Sequence, residues 1–149
     1  MSTGKKESKV VGGMELFHTR QKANEGIKVP LYTPSGKETE HWVRIRGVDS
    51  DEFRLAEAES KRGLMRIAQI EDPRERQDAI EDAKRELVAV LVISWSFEME
   101  PTLENVKAFF KEAPQIADAI DRASSSRALF FAAGSSSSQD TQSTSSAST

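Results

Sequence analysis

The stretch LVAVLVISW, Leu87–Trp95, decides how this chain folds, because no other segment of the sequence is so apolar. Only Ser94 among its residues is polar. A helix that is apolar on every side must be enclosed by other elements, and the run is too short to cross a bilayer, which needs about 20 residues. A buried β-strand is the competing interpretation. Either way, the run is predicted to lie at the centre of the core.

The sequence before this run favours the helix. Asp72 can cap a helix N-terminus, Pro73 suits the first helical position, and Glu75 stands three residues after the cap. From there the following residues recur at spacings of three and four, the period of one helix face: Ile80, Ala83, Leu87, Val90, Leu91, Ser94 and Trp95. We therefore predict one long helix over about residues 73–98, with Leu87, Leu91 and Trp95 in the core and other helices packed around them.

Another helix is predicted to precede it, from Asp49 to about Ile70. Asp49 is the expected cap, Glu52 would complete a capping box, and Val48 with Phe53 would form a hydrophobic staple. Phe53 begins the apolar face of this helix and is assigned to the core. A break at residues 71–73 then turns the two helices into an αα-hairpin.

Two segments before the helices alternate apolar and polar residues, which is typical of half-buried strands. Residues 27–33 and 39–46 flank the turn sequence Pro34-Ser35-Gly36, in which proline presets φ and glycine accepts a positive φ. Pro30 cannot donate a ladder hydrogen bond, so the first strand is expected at a sheet edge. The sequence thus predicts a β-hairpin, preceded by a polar loop at residues 20–26.

Two more helices are predicted after the apolar run. Thr102 is the expected cap of the first, which ends near Pro114. Its apolar stripe is Val106, Phe109 and Phe110. The second covers about residues 115–132, and the serines at 124–126 are a candidate interruption, since serine favours caps and turns. The predicted fold is mainly α: a small domain of about four helices with an N-terminal β-hairpin.

The folded domain is expected over residues 14–134. Residues 1–13 form a polar arm, and residues 135–149 contain eight serines and a single charge. Such segments cannot bury a core, so both are expected to be disordered. The N-terminus lacks the apolar core of a signal peptide, and no segment is long enough to span a bilayer. We expect no association with a membrane.

Composition and motifs argue against several classes of function. Lys and Arg number 21 against 24 Asp and Glu, which gives a net charge of −3, whereas nucleic-acid-binding domains usually carry a basic excess. The absence of cysteine excludes disulfides and thiolate chemistry. Neither His18 nor His41 has a partner at metal-ligand spacing, and no phosphate loop or hydrolase motif occurs. We predict a protein that is not an enzyme, needs no cofactor or metal and binds no nucleic acid.

Two pairs of adjacent phenylalanines, Phe109-Phe110 and Phe130-Phe131, indicate where a partner could bind. Neighbouring helix residues point about 100° apart, so one narrow stripe cannot bury both rings of a pair. Each pair either sits between two packed elements or leaves one ring exposed, and an exposed ring would suit a partner. The residues that we predict to bind a partner are Phe110, Arg127, Phe130 and Phe131. The simpler alternative places all of these rings in the core.

The order of these blocks resembles the tail assembly chaperones of long-tailed bacteriophages. The likeness covers about residues 27–131. It runs through the strand Trp42–Ile45, the helix start Gly47–Phe53, the run Leu87–Phe97, the block Pro101–Phe110, the segment Ala113–Ile120 and the end Arg127–Phe131. Its most specific part is the block from Trp95 to Phe110, followed by residues 114–120.

Members of that family bind the long tape measure protein, keep it soluble and help to recruit subunits of the major tail tube protein. The resemblance implies these two partners and a place in the host cell cytoplasm rather than in the mature virion. Self-association is left open by the sequence. Many members are also made as a longer frameshifted product, and the Ser-rich end would then be either the tail of the shorter product or a linker.

Two other functions remain open at this point. One is a structural virion component, such as a connector or minor tail subunit, whose hairpin joins a neighbour's sheet by strand addition. The other is a nucleic-acid-binding regulator, against which the acidic balance argues.

Overall fold

A computed structural model describes residues 12–132 of the chain, so the predicted Ser-rich tail and all but the last two residues of the predicted arm lie outside the described part. The elements in chain order are a 3-10 turn at Met14–Phe17, α1 Arg20–Glu25, β1 Ile27–Tyr32, β2 Glu38–Ile45, α2 Asp51–Ile67, α3 Pro73–Ala89, β3 Val92–Trp95, α4 Leu103–Glu112, α5 Pro114–Ser125 and a final helical segment at 127–132. The fold is mainly α with an N-terminal hairpin, as predicted, but it has more helices than four.

The three strands form an antiparallel sheet in the order β1-β2-β3. Val43 of β2 lies opposite Val29 on one side and opposite Trp95 on the other. Pro30 is in the edge strand β1, which confirms its predicted position, because an edge strand tolerates a residue without an N–H donor. Gly36 takes the expected positive φ, +90°, in the hairpin turn.

The prediction of one helix over residues 73–98 is wrong. The helix α3 ends at Ala89, and Val92–Trp95 instead forms β3 against β2. Hydrogen bonds from Arg46 occupy the carbonyl groups just after the end of α3. Its backbone N–H donates to Leu91 O at 2.8 Å, and its guanidinium donates to Val90 O. Val92 and Ile93 are β-branched and suit a strand. The run is central to the core all the same: Leu91 is fully buried and Trp95 is buried, while Leu87 is half-buried against them.

The predicted helix starts are right in two cases and wrong in one. Asp72 caps α3 by accepting from the Glu75 N–H at 2.9 Å, and Thr102 caps α4 by accepting from the Asn105 N–H at 3.1 Å. The cap of α2, however, is Ser50 and not Asp49: Ser50 Oγ accepts from the Phe53 N–H at 3.3 Å. Asp49 is held elsewhere, and Phe53 is buried as expected.

One segment departs from the sequence prediction, and another is interrupted at the serines where the sequence allowed a break. Residues 20–25 form a helix and not a loop, and Ala23 is buried where it meets Gly47. The helix predicted over about residues 115–132 is interrupted at Ser126, within the serines that the sequence marked as a candidate break. Ser124 and Ser125 both donate side-chain hydrogen bonds to Asp121 O, at 2.8 and 3.1 Å, and such local bonds compete with helix continuation.

The core lies between the sheet and helices α3, α4 and α5. Its most buried large side chains, each at most 2% exposed, are Val43, Ile45, Leu91, Val106, Phe110 and Ile120. The helix α2 packs on α3 at the side of this core and buries only Phe53. None of the helices in residues 12–132 is long and apolar enough to cross a membrane.

Candidate partner-binding site

The carboxylate of Asp49, in the loop between β2 and α2, joins three separate parts of the chain. It accepts from Thr19 Oγ1 at 2.6 Å, from Arg54 Nη2 at 2.9 Å, and from Arg127 Nε and Nη2 at 2.6 and 2.9 Å. The side chain is only 12% exposed. The Arg127 guanidinium holds the pKa of Asp49 well below its usual range, with Thr19 and Arg54 acting in the same direction and burial opposing them. Asp49 therefore fixes the segment 127–132 to the body of the protein.

Phe130 provides the apolar half of this attachment. Its side chain is buried, and its Cζ lies 3.1 Å from the point where a Cβ on Gly47 would stand. The Cβ of Ala23 lies 3.0 Å from the same point, and the Gly47 N–H donates to Ala23 O at 3.0 Å. A Cβ at position 47 would crowd both α1 and the ring of Phe130, so the glycine favours their close approach.

The neighbouring ring faces outward. Phe131 is 38% exposed and Leu129 is 39% exposed, and the Arg127 side chain beside Asp49 is also accessible. One ring of this pair is thus exposed and the other is buried, which is one of the two arrangements that the sequence allowed. We call Arg127, Leu129 and Phe131 the C-terminal surface. Phe130 does not belong to the C-terminal surface, because its ring is buried against Gly47.

Phe110 is also removed from the candidate site. It is 2% exposed and lies in the core, with its ring centroid 6.2 Å from that of Phe109. Phe109 in turn packs edge-on against Trp95, at 5.8 Å between centroids. The prediction that Phe110 binds a partner conflicts with this burial, because the ring is enclosed by other core residues.

His41 and His18 do not form a ligand cluster. His41 lies on β2, where its Nδ1 is 3.0 Å from Ser96 Oγ and its ring stacks on Phe97 at 4.7 Å. His18 is exposed and follows the first 3-10 turn. Across residues 12–132, no three His, Asp or Glu side chains come together in a way that could hold a metal ion.

The structure shows a groove between α2 and α3 that the sequence reasoning missed. It encloses about 560 Å³. Its lining residues are Ala56, Glu59, Ser60, Gly63, Arg66 and Ile67 from α2, and Ala79, Asp82, Ala83, Glu86, Leu87 and Val90 from α3 and its end. The small residues at positions 56, 60, 63, 79 and 83 could have indicated this groove in the sequence. Their side chains are too short to fill the space between the two helices.

A second apolar surface lies near the N-terminus. Met14, Leu16 and Phe17 are 61%, 76% and 81% exposed, and the 3-10 turn that carries them has no buried residue. The sequence places these residues in the folded domain but predicts no helix or strand for them. We call Met14–Phe17 the N-terminal knob.

Comparison of this chain with models of protein families, with curated proteins and with solved structures found no match.

Proposed function

We propose that this protein is a tail assembly chaperone of a long-tailed bacteriophage. It binds the tape measure protein in the host cell cytoplasm, helps to recruit tail tube subunits, and leaves before the virion is complete. The proposal has two supports: the order of the sequence blocks from Trp42 to Phe131, and the presence of an ordered apolar surface at the end of that likeness.

The observation that carries the choice of site is the exposed ring of Phe131 on a segment that is firmly held. Phe130 is buried beneath it and Arg127 is fixed by two hydrogen bonds to Asp49. A partner that packs on Phe131 and Leu129 therefore meets side chains whose backbone is already ordered, which lowers the entropic cost of binding.

This arrangement suits the holding of an apolar helical chain. Such a chain needs apolar anchors, because burial of apolar area is the main favourable term in most protein association. It needs no catalytic group on its holder, and we propose that the protein is not an enzyme. A ring that is about a third exposed already has partial support from its neighbours, as interface anchors commonly do.

Co-expression of the tagged chain with the tape measure protein of the same phage tests the proposal. We expect a soluble complex that survives pull-down. Phe131→Ser should weaken it by about 2 kcal/mol or more, the usual threshold for a hot spot. Met65→Ser is the matched control, because Met65 is 74% exposed and lies on α2. Failure to form a complex on co-expression would contradict the proposal.

Phe130→Ala separates binding from folding. Its ring is 4% exposed, so the substitution should lower the melting temperature and affect the complex only through unfolding. Phe131→Ser should lower the melting temperature much less than Phe130→Ala does, because the Phe131 ring is 38% exposed. If both variants lost binding only at temperatures where they unfold, the C-terminal surface would have no direct role.

A structural role in the virion is the second candidate, and one observation favours it. The strand β1 lies at the edge of the sheet, where a strand from a neighbouring subunit could be added. Mass spectrometry of purified virions distinguishes the two functions. We expect the protein to be absent from virions, and its presence at a fixed copy number would assign it to the particle.

A further inference from the structure

The three-stranded sheet has two faces, and the core covers only one of them. Val43 and Ile45 of β2 point into the core, so the residues that alternate with them on β2 point away from it. The side chains that we call the outer sheet face are Lys28, Pro30, Trp42, Arg44 and Ser94. All five are exposed or half-buried, so this face is open within residues 12–132.

Two cations stand side by side on the outer sheet face. The register of β1 and β2 places Lys28 directly opposite Arg44, and like charges in that position destabilise an antiparallel pair. Among residues 12–132, neither side chain has a carboxylate oxygen within 4.0 Å. A pair that breaks a rule of stability in this way is expected at functional sites.

The guanidinium of Arg44 is already oriented. Its Nε and Nη2 donate to the backbone oxygen of Glu25, at 3.2 and 3.0 Å, and Nη2 also reaches Gly26 O at 3.4 Å. Its Nη1 has no acceptor among residues 12–132. An arginine held in this way offers a fixed donor to a carboxylate, and such charge-assisted hydrogen bonds are the strong ones.

The indole of Trp42 lies next to the two cations. The Lys28 Nζ is 4.2 Å from the ring centroid, in a cation–π contact, and Pro30 is the cross-strand partner of Trp42. The Trp42 backbone N–H donates to Ser96 Oγ at 2.9 Å, which ties this part of β2 to the end of β3. A partly exposed tryptophan on a rigid strand is the residue type most enriched among binding anchors.

The acidic residues of the same face restrict the class of partner. Glu38 and Glu40 precede Trp42 on the outward side of β2, and both are exposed. Cations therefore occupy one end of the face and carboxylates the other, about 20 Å apart. A nucleic-acid backbone carries a negative charge at every phosphate and would meet both carboxylates. A polypeptide can place carboxylates only beside Lys28 and Arg44, so charge complementarity favours a protein partner.

We propose that the outer sheet face binds an amphipathic helix of another protein, whose apolar stripe is flanked by Asp or Glu. The apolar side chains pack on Trp42 and Pro30, and the carboxylates pair with Lys28 and with Nη1 of Arg44. A helix is the expected occupant, because a helix layered on a sheet is a common way to cover an open face. The proposal does not rest on the chaperone function, and either can fail without the other.

Two synthetic peptides serve as probes of the full chain. Both are about 18 residues long, enough for a stable helix, and share a leucine stripe. Glutamate flanks the stripe in one peptide and lysine in the other. The chain has two tryptophans, so a ¹⁵N NMR spectrum shows two indole N–H signals. Trp42→Phe assigns them, and Trp95 is an internal reference, since it is buried and its Nε1–H donates to Met99 O.

The acidic peptide should shift the Trp42 signal and leave that of Trp95 in place. It should bind at least about tenfold more tightly than the basic peptide, and less tightly as the salt concentration rises. Lys28→Glu should weaken its binding about tenfold, because repulsion replaces attraction. Lys37→Glu is the matched control: Lys37 is exposed in the turn of the same hairpin, and the change in net charge is the same. Circular dichroism confirms that both variants are folded.

Four results would overturn the proposal. The acidic peptide could leave the Trp42 signal unmoved, the two peptides could bind equally well, or Lys28→Glu could bind the acidic peptide as Lys37→Glu does. The fourth is a single-stranded DNA oligonucleotide that shifts the Trp42 signal at lower concentration than the acidic peptide. That result would assign the outer sheet face to nucleic acid.

Discussion

Asp49 and Ser50 are adjacent, and both are residue types that cap helices. Ser50 caps α2, while Asp49 bonds Arg127, which is 78 residues further along the chain. The local sequence pattern predicts that a capping residue stands here, and it gives the position of the helix cap to within one residue. It cannot show that a distant guanidinium competes for the carboxylate, because that contact exists only after the chain has folded.

Removal of this carboxylate should destabilise the protein in a pH-dependent way. We expect Asp49→Ala to lower the free energy of unfolding at pH 7 by about 1.5–3 kcal/mol, the range for hydrogen bonds to a charged group. The pKa of Asp49 is lowered in the folded state, so its contribution is fully present above the ordinary carboxyl pKa of about 4. It is lost as the pH falls below that value.

Urea unfolding of the parent and of Asp49→Ala at several pH values measures this effect. The difference between the two chains should be constant from neutral pH to about pH 5 and should shrink below about pH 4. A difference that grew on acidification would show that Asp49 is not held as a carboxylate by Arg127.

Leu91 offers a test of the core at a single side chain. It is fully buried, so Leu91→Ala should cost about 2–5 kcal/mol through lost transfer energy and a residual cavity. This is a large part of a total stability of about 5–15 kcal/mol. Leu55→Ala is the control, because Leu55 is 63% exposed and its removal should change stability by about 0.5 kcal/mol or less. Equal thermal melts for the two variants would refute the assignment of Leu91 to the core centre.

At the scale of elements, the run Leu87–Trp95 shows the limit of periodicity. Its first part is helical and its last part is a strand, although the spacing of three and four continues through both. The β2 strand decides the outcome, because its free side offers backbone partners to Ser94 and Trp95. The spacing of residues within the run cannot show that a strand some 50 residues earlier in the chain will pair with it. The burial of the run, in contrast, follows from its apolar composition alone.

The junction between α1 and β1 makes another element-scale prediction. Gly26 has a φ of +82°, and a Cβ there would stand 2.5 Å from Ile45 O and 2.6 Å from Ile93 Cδ1. Gly36 has a φ of +90° but nothing within 4 Å. Gly36→Ala should therefore cost only the strain of the left-handed backbone, about 1–2 kcal/mol.

Gly26→Ala should cost about 1–3 kcal/mol more than Gly36→Ala, because the added methyl group forces β1 away from β2. Chemical unfolding of both variants measures the difference. Similar costs would mean that the junction relaxes without disturbing the sheet.

At the scale of the molecule, composition and pattern were sufficient for the mainly helical class, the hairpin with Pro30 at its edge, and the caps Asp72 and Thr102. The geometric argument about adjacent residues allowed one exposed ring in the Phe130-Phe131 pair, but it did not show which ring that would be. The groove was not predicted, because a space between helices depends on how far apart they pack. The burial of Phe110 and Phe130 likewise depends on what the fold places over them.

The weak integration of the α2–α3 hairpin predicts uneven hydrogen exchange. Phe53 is the only buried residue in α2, whereas Val43 and Ile45 of β2 are at most 1% exposed. We expect amides in the middle of α2 to exchange at least about tenfold faster than those of β2, after correction for intrinsic rates. Mass spectrometry of peptides from the two elements measures this. Equal protection would show that the hairpin and the sheet open together.

Thr19 and Arg127 both donate to the same oxygen of Asp49, each at 2.6 Å. The residue that precedes α1 and the first residue of the last helical segment therefore meet at one atom, so these two parts of the chain lie close together in space. A protein built in this way is suited to circular permutation: a short Gly/Ser linker can join these segments, and new ends can be opened in the connection between α2 and α3. Ends moved there would leave the Asp49 junction and the sheet intact.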